Sequence, residues 1–426
     1  MKSLVVSLFS MFVASATFAQ AYVTNILVRQ RRPWSQKVDI DFTVGGERAD
    51  VEFTATWEGQ SEPVALLPAA GLTGRACGIL GDEGHVSWDP VAAGYELPLR
   101  NFRVTATAHP ISARTWLVID LQTGAHEYMS SEPAGGFNAD DTYKMSKMVF
   151  RRIPAATFTM GYSDAQIAAM KQAGASDWYG KKWNQHTVTL SDDYYMAIYR
   201  VTVAQYEWIV SGKQTSSGDD AKTVRVGSGT GHNTSYSYNT YRGSVDDGIN
   251  WPSTQYAVKS DSPWGKFRTR TGNRFRIDFP TDAQWENACR CGTVTLWSHG
   301  GATDITASEI AEMVSQVCNT DAKSIPGQKA PNAYGLYDMV GLAFELCNDQ
   351  WVNSLGTAAV VDPVGGLESV THRVAKGGGW KAVASSSPGL ANPAYRMGTE
   401  VEKGRDSSYA YMVARPCIHL NSVFAR

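Results

Sequence analysis

Residues 332–351 read Asn-Ala-Tyr-Gly-Leu-Tyr-Asp-Met-Val-Gly-Leu-Ala-Phe-Glu-Leu-Cys-Asn-Asp-Gln-Trp, and this stretch constrains the fold most tightly. Asp338 and Glu345 flank Gly341 within a dense apolar set. Glycine reaches backbone angles closed to other residues, so a tight turn at Gly341 can aim both carboxylates and nearby backbone carbonyls at one point. Convergent carboxylate and carbonyl oxygens are the donor set of a hard cation such as calcium. The spacing is not that of an EF-hand loop. On spacing alone, a plain strand–turn–strand with its acids in water accounts for the same pattern.

A chain of 426 residues exceeds one average domain, so two are expected. A formal charge of −2 provides no basic footprint for nucleic acid and no acidic tail. With charged residues at only 19% and Gly, Trp and Tyr plentiful, the chain reads as strand- and loop-rich and exported. The N-terminus agrees: Lys2, an apolar run over 4–14, then Ala19-Gln20-Ala21 at cleavage spacing. A signal peptide is expected over 1–21, with a secreted or periplasmic, cell-envelope destination. That run is too short to span a bilayer and no later segment qualifies, so no membrane span is expected.

Residues 22–113 show alternating segments such as 38–44, punctuated by Gly45-Gly46, Gly81-Asp82 and Gly94, and predict an all-β, sandwich-like domain. Residues 114–148 read as a connector that opens with a strand over 115–120. A second domain is expected over 149–426. Within it, Thr202-Val203-Ala204-Gln205 and Thr281-Asp282-Ala283-Gln284 both match the capping box and predict helix starts. The Ser/Gly/Tyr-rich stretch 211–241 reads as a surface insertion whose Tyr236, Tyr238 and Tyr241 are free to stack on a ligand.

Four ordered motifs carry a family resemblance. They are Phe158-Thr159-Met160-Gly161, the run Phe279-Pro280-Thr281-Asp282-Ala283-Gln284-Trp285-Glu286, the 332–351 stretch, and Arg373-Val374-Ala375-Lys376-Gly377-Gly378-Gly379-Trp380. Together they resemble the formylglycine-generating enzyme, or sulfatase-modifying factor, family over roughly residues 150–420. The resemblance implies an α+β fold of the C-type-lectin-like kind, with many loops and little regular structure. It also implies a structural calcium held by the Asp338 side chain, the Gly341 and Ala343 carbonyls and the Glu345 side chain. Leu342, Phe344 and Leu346 depart from the family pattern at positions that carry no calcium ligand.

The family's enzymes oxidise a client cysteine with two cysteines that bind copper(I) shortly after this last motif. Soft thiolates suit that metal. Here residues 381–396 contain no cysteine, so copper is not expected. Six cysteines occur in all. An oxidising compartment permits disulfides, and the pairing among Cys289, Cys291, Cys318, Cys347 and Cys417 stays open. Cys77 stands apart as a candidate buried free thiol. Two functions remain. One is a non-catalytic binding or structural module that holds a protein segment or a glycan near Trp380, Ser385, Ser386, Tyr395 and Arg396. The other is a protein-modifying oxidoreductase with an altered site.

Overall fold

The computed structural model describes residues 20–30, 35–172, 184–224, 237–243, 258–295, 325–341, 343–364, 371–378, 393–400, 405–407 and 410–421. An antiparallel sheet comes first. Its strands are β1 (Tyr22–Gln30), β2 (Val38–Trp57), β3 (Gln60–Leu66), β4 (Leu72–Arg75), β5 (Ile79–Trp88) and β6 (Arg103–Pro110). The long β2 organises all of them. Its first half lies between β1 and β5, and its second half between β3 and β6.

Strict alternation buries Val38, Ile40, Phe42 and Val44 from one half and Ala49, Val51, Phe53 and Ala55 from the other. The two halves face each other: the rings of Phe42 and Phe53 meet edge to face with centroids 5.1 Å apart. Trp88 stacks on Phe102 at 5.7 Å at the open end of this core. The expected sandwich-like packing is thus made by one sheet folded over through a shared strand, with Gly46 in the left-handed region (φ 85°) at the fold.

The expected connector is not a linker. Trp116–Asp120 (β7) and His126–Met129 (β8) join the larger C-terminal sheet with Lys147–Ile153 (β9). Leu117 and Ile119 are fully buried in its core. The chain then adds Ala156–Met160 (β10), His186–Leu190 (β11) and Tyr194–Ala197 (β12). Later strands are Ile277–Asp278 (β13), Phe344–Gln350 (β14), Val360–Val361 (β15), His372–Lys376 (β16), Arg396–Glu400 (β17), Arg405–Ser407 (β18), Ala410–Val413 (β19) and Cys417–His419 (β20). One sheet runs β13-β20-β12-β9-β7-β8 and a second runs β17-β16-β14-β19-β18, while β10, β11 and β15 form a third.

Both predicted capping boxes are present. Thr202 opens the helix Val203–Ser211 and Thr281 opens the helix Asp282–Arg290, each with its glutamine bonded back to the cap. The 211–241 stretch departs from expectation. Tyr236 lies outside the described residues, but Tyr238 and Tyr241 are core residues packed on Phe279 and Trp264. Their neighbours' Ser/Gly content hid an apolar anchor.

The two units share a buried ionic junction. Arg152 on β9 holds both oxygens of Asp50 on β2, at 2.8 and 2.9 Å, and reaches Asp193 at 2.8 Å. Asn421 bonds the backbone of Ala76 and Cys77 from the other side.

Candidate functional site

The 332–351 stretch folds as a turn running into a central strand. Asp338 and Gly341 both take left-handed backbone angles, φ 53° and 80°, and the Gly341 amide donates to the Gly377 carbonyl at 2.7 Å. Beyond the turn, β14 lies between β16 and β19, which puts Glu345 at the centre of the domain with no exposed surface. Such a charge persists only if paired and hydrogen-bonded. Four N–H groups meet it. Arg200 Nε donates to Oε1 at 2.6 Å, Arg415 Nη2 to Oε1 at 2.8 Å, Arg415 Nε to Oε2 at 2.8 Å, and Trp285 Nε1 to Oε2 at 2.6 Å. Burial pushes the Glu345 pKa up, but Arg415 and Arg200 outweigh it and hold the carboxyl below its ordinary range.

The donor set named for calcium can be tested against this geometry. The Gly341 carbonyl accepts from Arg200 Nη2 at 2.9 Å and from the Ala343 amide at 2.8 Å. Glu345 accepts four donors, which uses its acceptor sites. Asp338 accepts from the Gly327 amide at 2.7 Å through one oxygen. Its other oxygen is buried without a hydrogen-bond partner, and burial raises its pKa. As arranged here, these groups do not fit a calcium ion, because guanidinium groups hold the Gly341 carbonyl and both Glu345 oxygens that would ligate it. Sequence reasoning assigned no role at this site to Arg200 and Arg415, which lie 145 and 70 positions from Glu345.

A second buried cluster lies beside the first. Asp282 and Glu286, one turn apart on the Asp282–Arg290 helix, share Lys376 of β16, whose Nζ is 3.1 and 2.9 Å from them. Arg396 pairs with Asp282, Arg290 pairs with Glu286 at 2.9 Å, and the Gly161 amide also donates to Glu286 at 2.8 Å. Asp349 accepts the Asp282 amide at 2.7 Å. Burial, then the charge of Asp282, pushes the Asp349 pKa up to about 7.

Both acids floor a cleft of about 450 Å³ whose walls include Met160, Val352, Leu355, Val360 and Val361, with His186 at its side. Of the residues expected to touch a ligand, Tyr395 and Arg396 are buried. Arg396 is committed to Asp282 and lies over Trp351 at 5.1 Å, so it braces the cleft floor from behind. Trp380, Ser385 and Ser386 lie outside the described residues.

Five described cysteines are free thiols, Cys77, Cys289, Cys291, Cys347 and Cys417. Burial raises the pKa of each. Cys318 lies outside the described residues.

An α+β domain with irregular loops, centred on a Glu345 strand and braced by the Asp282–Arg290 helix, defines the class. The family model of the sulfatase-modifying factor enzyme 1-like domain matches residues 135–408, and the chain belongs to that family. It is 27% identical over 270 residues to the formylglycine-generating enzyme of Bos taurus, covering 54% of this chain and 64% of that protein. The Mus musculus enzyme is 28% identical over 278 residues, covering 55% and 66%. The chain therefore spans just under two thirds of these relatives. The solved structure of Treponema denticola variable protein 1 superposes with a TM-score of 0.43 at 16% identity, covering 64% of this chain and 95% of that one.

Proposed function

We propose that this protein is an exported, non-catalytic binding module of the sulfatase-modifying factor family, which recognises a protein segment or a glycan. One observation carries the reading: residues 381–396 hold no cysteine. A copper-dependent oxidation lacks its ligands on that footing. The 450 Å³ cleft supplies a place for a ligand, within the size range of small-molecule and side-chain pockets. Its walls of valine, leucine and methionine favour an apolar side chain of a peptide over a sugar, which stacks better on aromatic rings.

Incubation with copper, oxygen and a sulfatase-type cysteine peptide tests the reading. The peptide mass is expected to stay unchanged, while loss of the thiol mass with turnover overturns the binding assignment. Peptide and glycan arrays then separate the two ligand classes. A second reading, an enzyme of altered chemistry, is favoured by one feature: Asp349 titrates near neutrality beside Asp282 in the cleft, as acid–base groups do.

A further inference from the structure

We propose that the guanidinium of Arg200 is the resident cation of the Asp338–Gly341–Glu345 turn, so that this fold stands without the calcium its oxygens would otherwise bind. Asp338 and Glu345 are both buried carboxylates, and two buried negative charges require two positive ones nearby. Arg200 and Arg415 supply them. A divalent ion brings the same formal charge in one particle. Added to the two arginines, it would place four positive charges against two negative ones in a site closed to water, where repulsion is weakly screened.

The two arginines have different tasks. Arg415 also ties the carbonyls of Ala197, Ile198 and Tyr337 at 2.9, 2.9 and 2.7 Å, so it stitches β12 and the turn together besides neutralising Glu345. Arg200 makes its hydrogen bonds to the turn's oxygens alone, Glu345 Oε1 and the Gly341 carbonyl. Those are two of the groups a calcium ion would take. Its Nη1, like Asp338 Oδ1, is buried without a hydrogen-bond partner. Arg200 thus occupies the cation position and leaves Asp338, the remaining acid of the set, under-satisfied. Gly377 lets the turn itself pack this closely, since a β-carbon there would stand 2.8 Å from the Met339 carbonyl. Replacing Arg200 by a small neutral residue frees the Gly341 carbonyl of its guanidinium and leaves Glu345 Oε1 with Arg415 alone, beside Asp338, which opens an oxygen set to a hard cation.

The test uses the full chain and its Arg200→Ala variant. The unmodified protein is expected to carry less than one calcium per chain after purification in calcium, and to unfold at the same midpoint, within about 1 °C, in millimolar calcium or in chelator. It is also expected to give no terbium luminescence sensitised by Trp285, whose Nε1 lies 2.6 Å from Glu345 Oε2. Arg200→Ala is expected to lose stability in chelator and recover it with rising calcium, with terbium luminescence appearing. Stoichiometric calcium or a calcium-dependent midpoint in the unmodified protein overturns the proposal, and this measurement decides even if the variant does not fold. An Arg200→Ala protein that folds and is indifferent to calcium overturns it as well.

Discussion

Truncating Arg152 to alanine should weaken the junction between the two units of the molecule. The side chain leaves β9 and makes three hydrogen bonds to carboxylates, two with Asp50 on β2 and one with Asp193. Asp50 and Asp193 are 2% and 4% exposed, so neither recovers water when Arg152 goes. Removing one partner of a buried ion pair costs about 3–5 kcal/mol, mostly because the other charge is stranded. Some relief remains. Asp50 keeps the Gly78 amide at 3.0 Å and Arg114 at 3.4 Å, and Asp193 keeps the Ala155 amide at 2.8 Å and Arg48 at 3.2 Å. The expected loss is therefore near the lower bound, about 3 kcal/mol, against a typical total of about 5–15 kcal/mol. Urea unfolding with an unchanged slope measures it.

Acid titration adds a second reading of the same site. Burial pushes the Asp193 pKa up, but Arg152, the Ala155 amide and Arg48 together outweigh it and leave the carboxyl below its ordinary value. A depressed folded pKa contributes stability above the unfolded value that is lost as pH falls through the folded one. The Arg152→Ala variant should thus lose less stability than the parent on going from pH 6 to pH 3. A loss below about 1 kcal/mol at neutral pH, or full additivity with Asp50→Asn in a double-mutant cycle, refutes the junction as described.

Two further expectations follow from the cleft and the helix that floors it. Asp349 has its pKa raised to about 7 from an ordinary 3.8, so its favourable contribution is complete below the lower value and lost as pH rises through the upper one. Asp349→Asn, which mimics the protonated form and can still accept the Asp282 amide, should raise the melting midpoint more at pH 8 than at pH 5; an equal effect at both refutes the titration. Thr281→Ala removes the oxygen that accepts from the Gln284 amide at 3.1 Å and should cost about 1 kcal/mol in urea unfolding, with no loss refuting the cap's contribution.

Local chemistry was readable from the chain, and distant chemistry was not. Thr202 and Thr281 announced their helices because a capping box is complete within four residues. Alternation along 38–44 identified a half-buried strand because its period is two. The turn at Gly341 was legible for the same reason. What hid was every partner brought by the fold. Arg200 and Arg415 look like ordinary surface cations until β12 and β19 carry them onto Glu345. Residues 116–120 read as a strand in a linker because their partner on β9 comes some thirty positions later. Tyr238 and Tyr241 sit in a stretch whose composition says loop, while their rings are enclosed by Trp264 and Phe279, contributed by other segments. Arg396 showed only its charge, and the carboxylate of Asp282, 114 positions earlier, is what draws it inward.

Asn421 gives the junction a timetable. Its side chain accepts from the amides of Ala76 and Cys77, donates to the Cys77 carbonyl, and reaches Asp192, closing contacts across up to 345 positions. At about 5–20 residues per second, a ribosome needs roughly 20 to 70 seconds to travel from one side of that clasp to the other. The bent sheet around β2 can assemble early, yet its seat against the second domain must wait for that asparagine. Until then the Ala76 and Cys77 amides lack that partner, and nascent chains halted before residue 421 should be cut by protease at the seam.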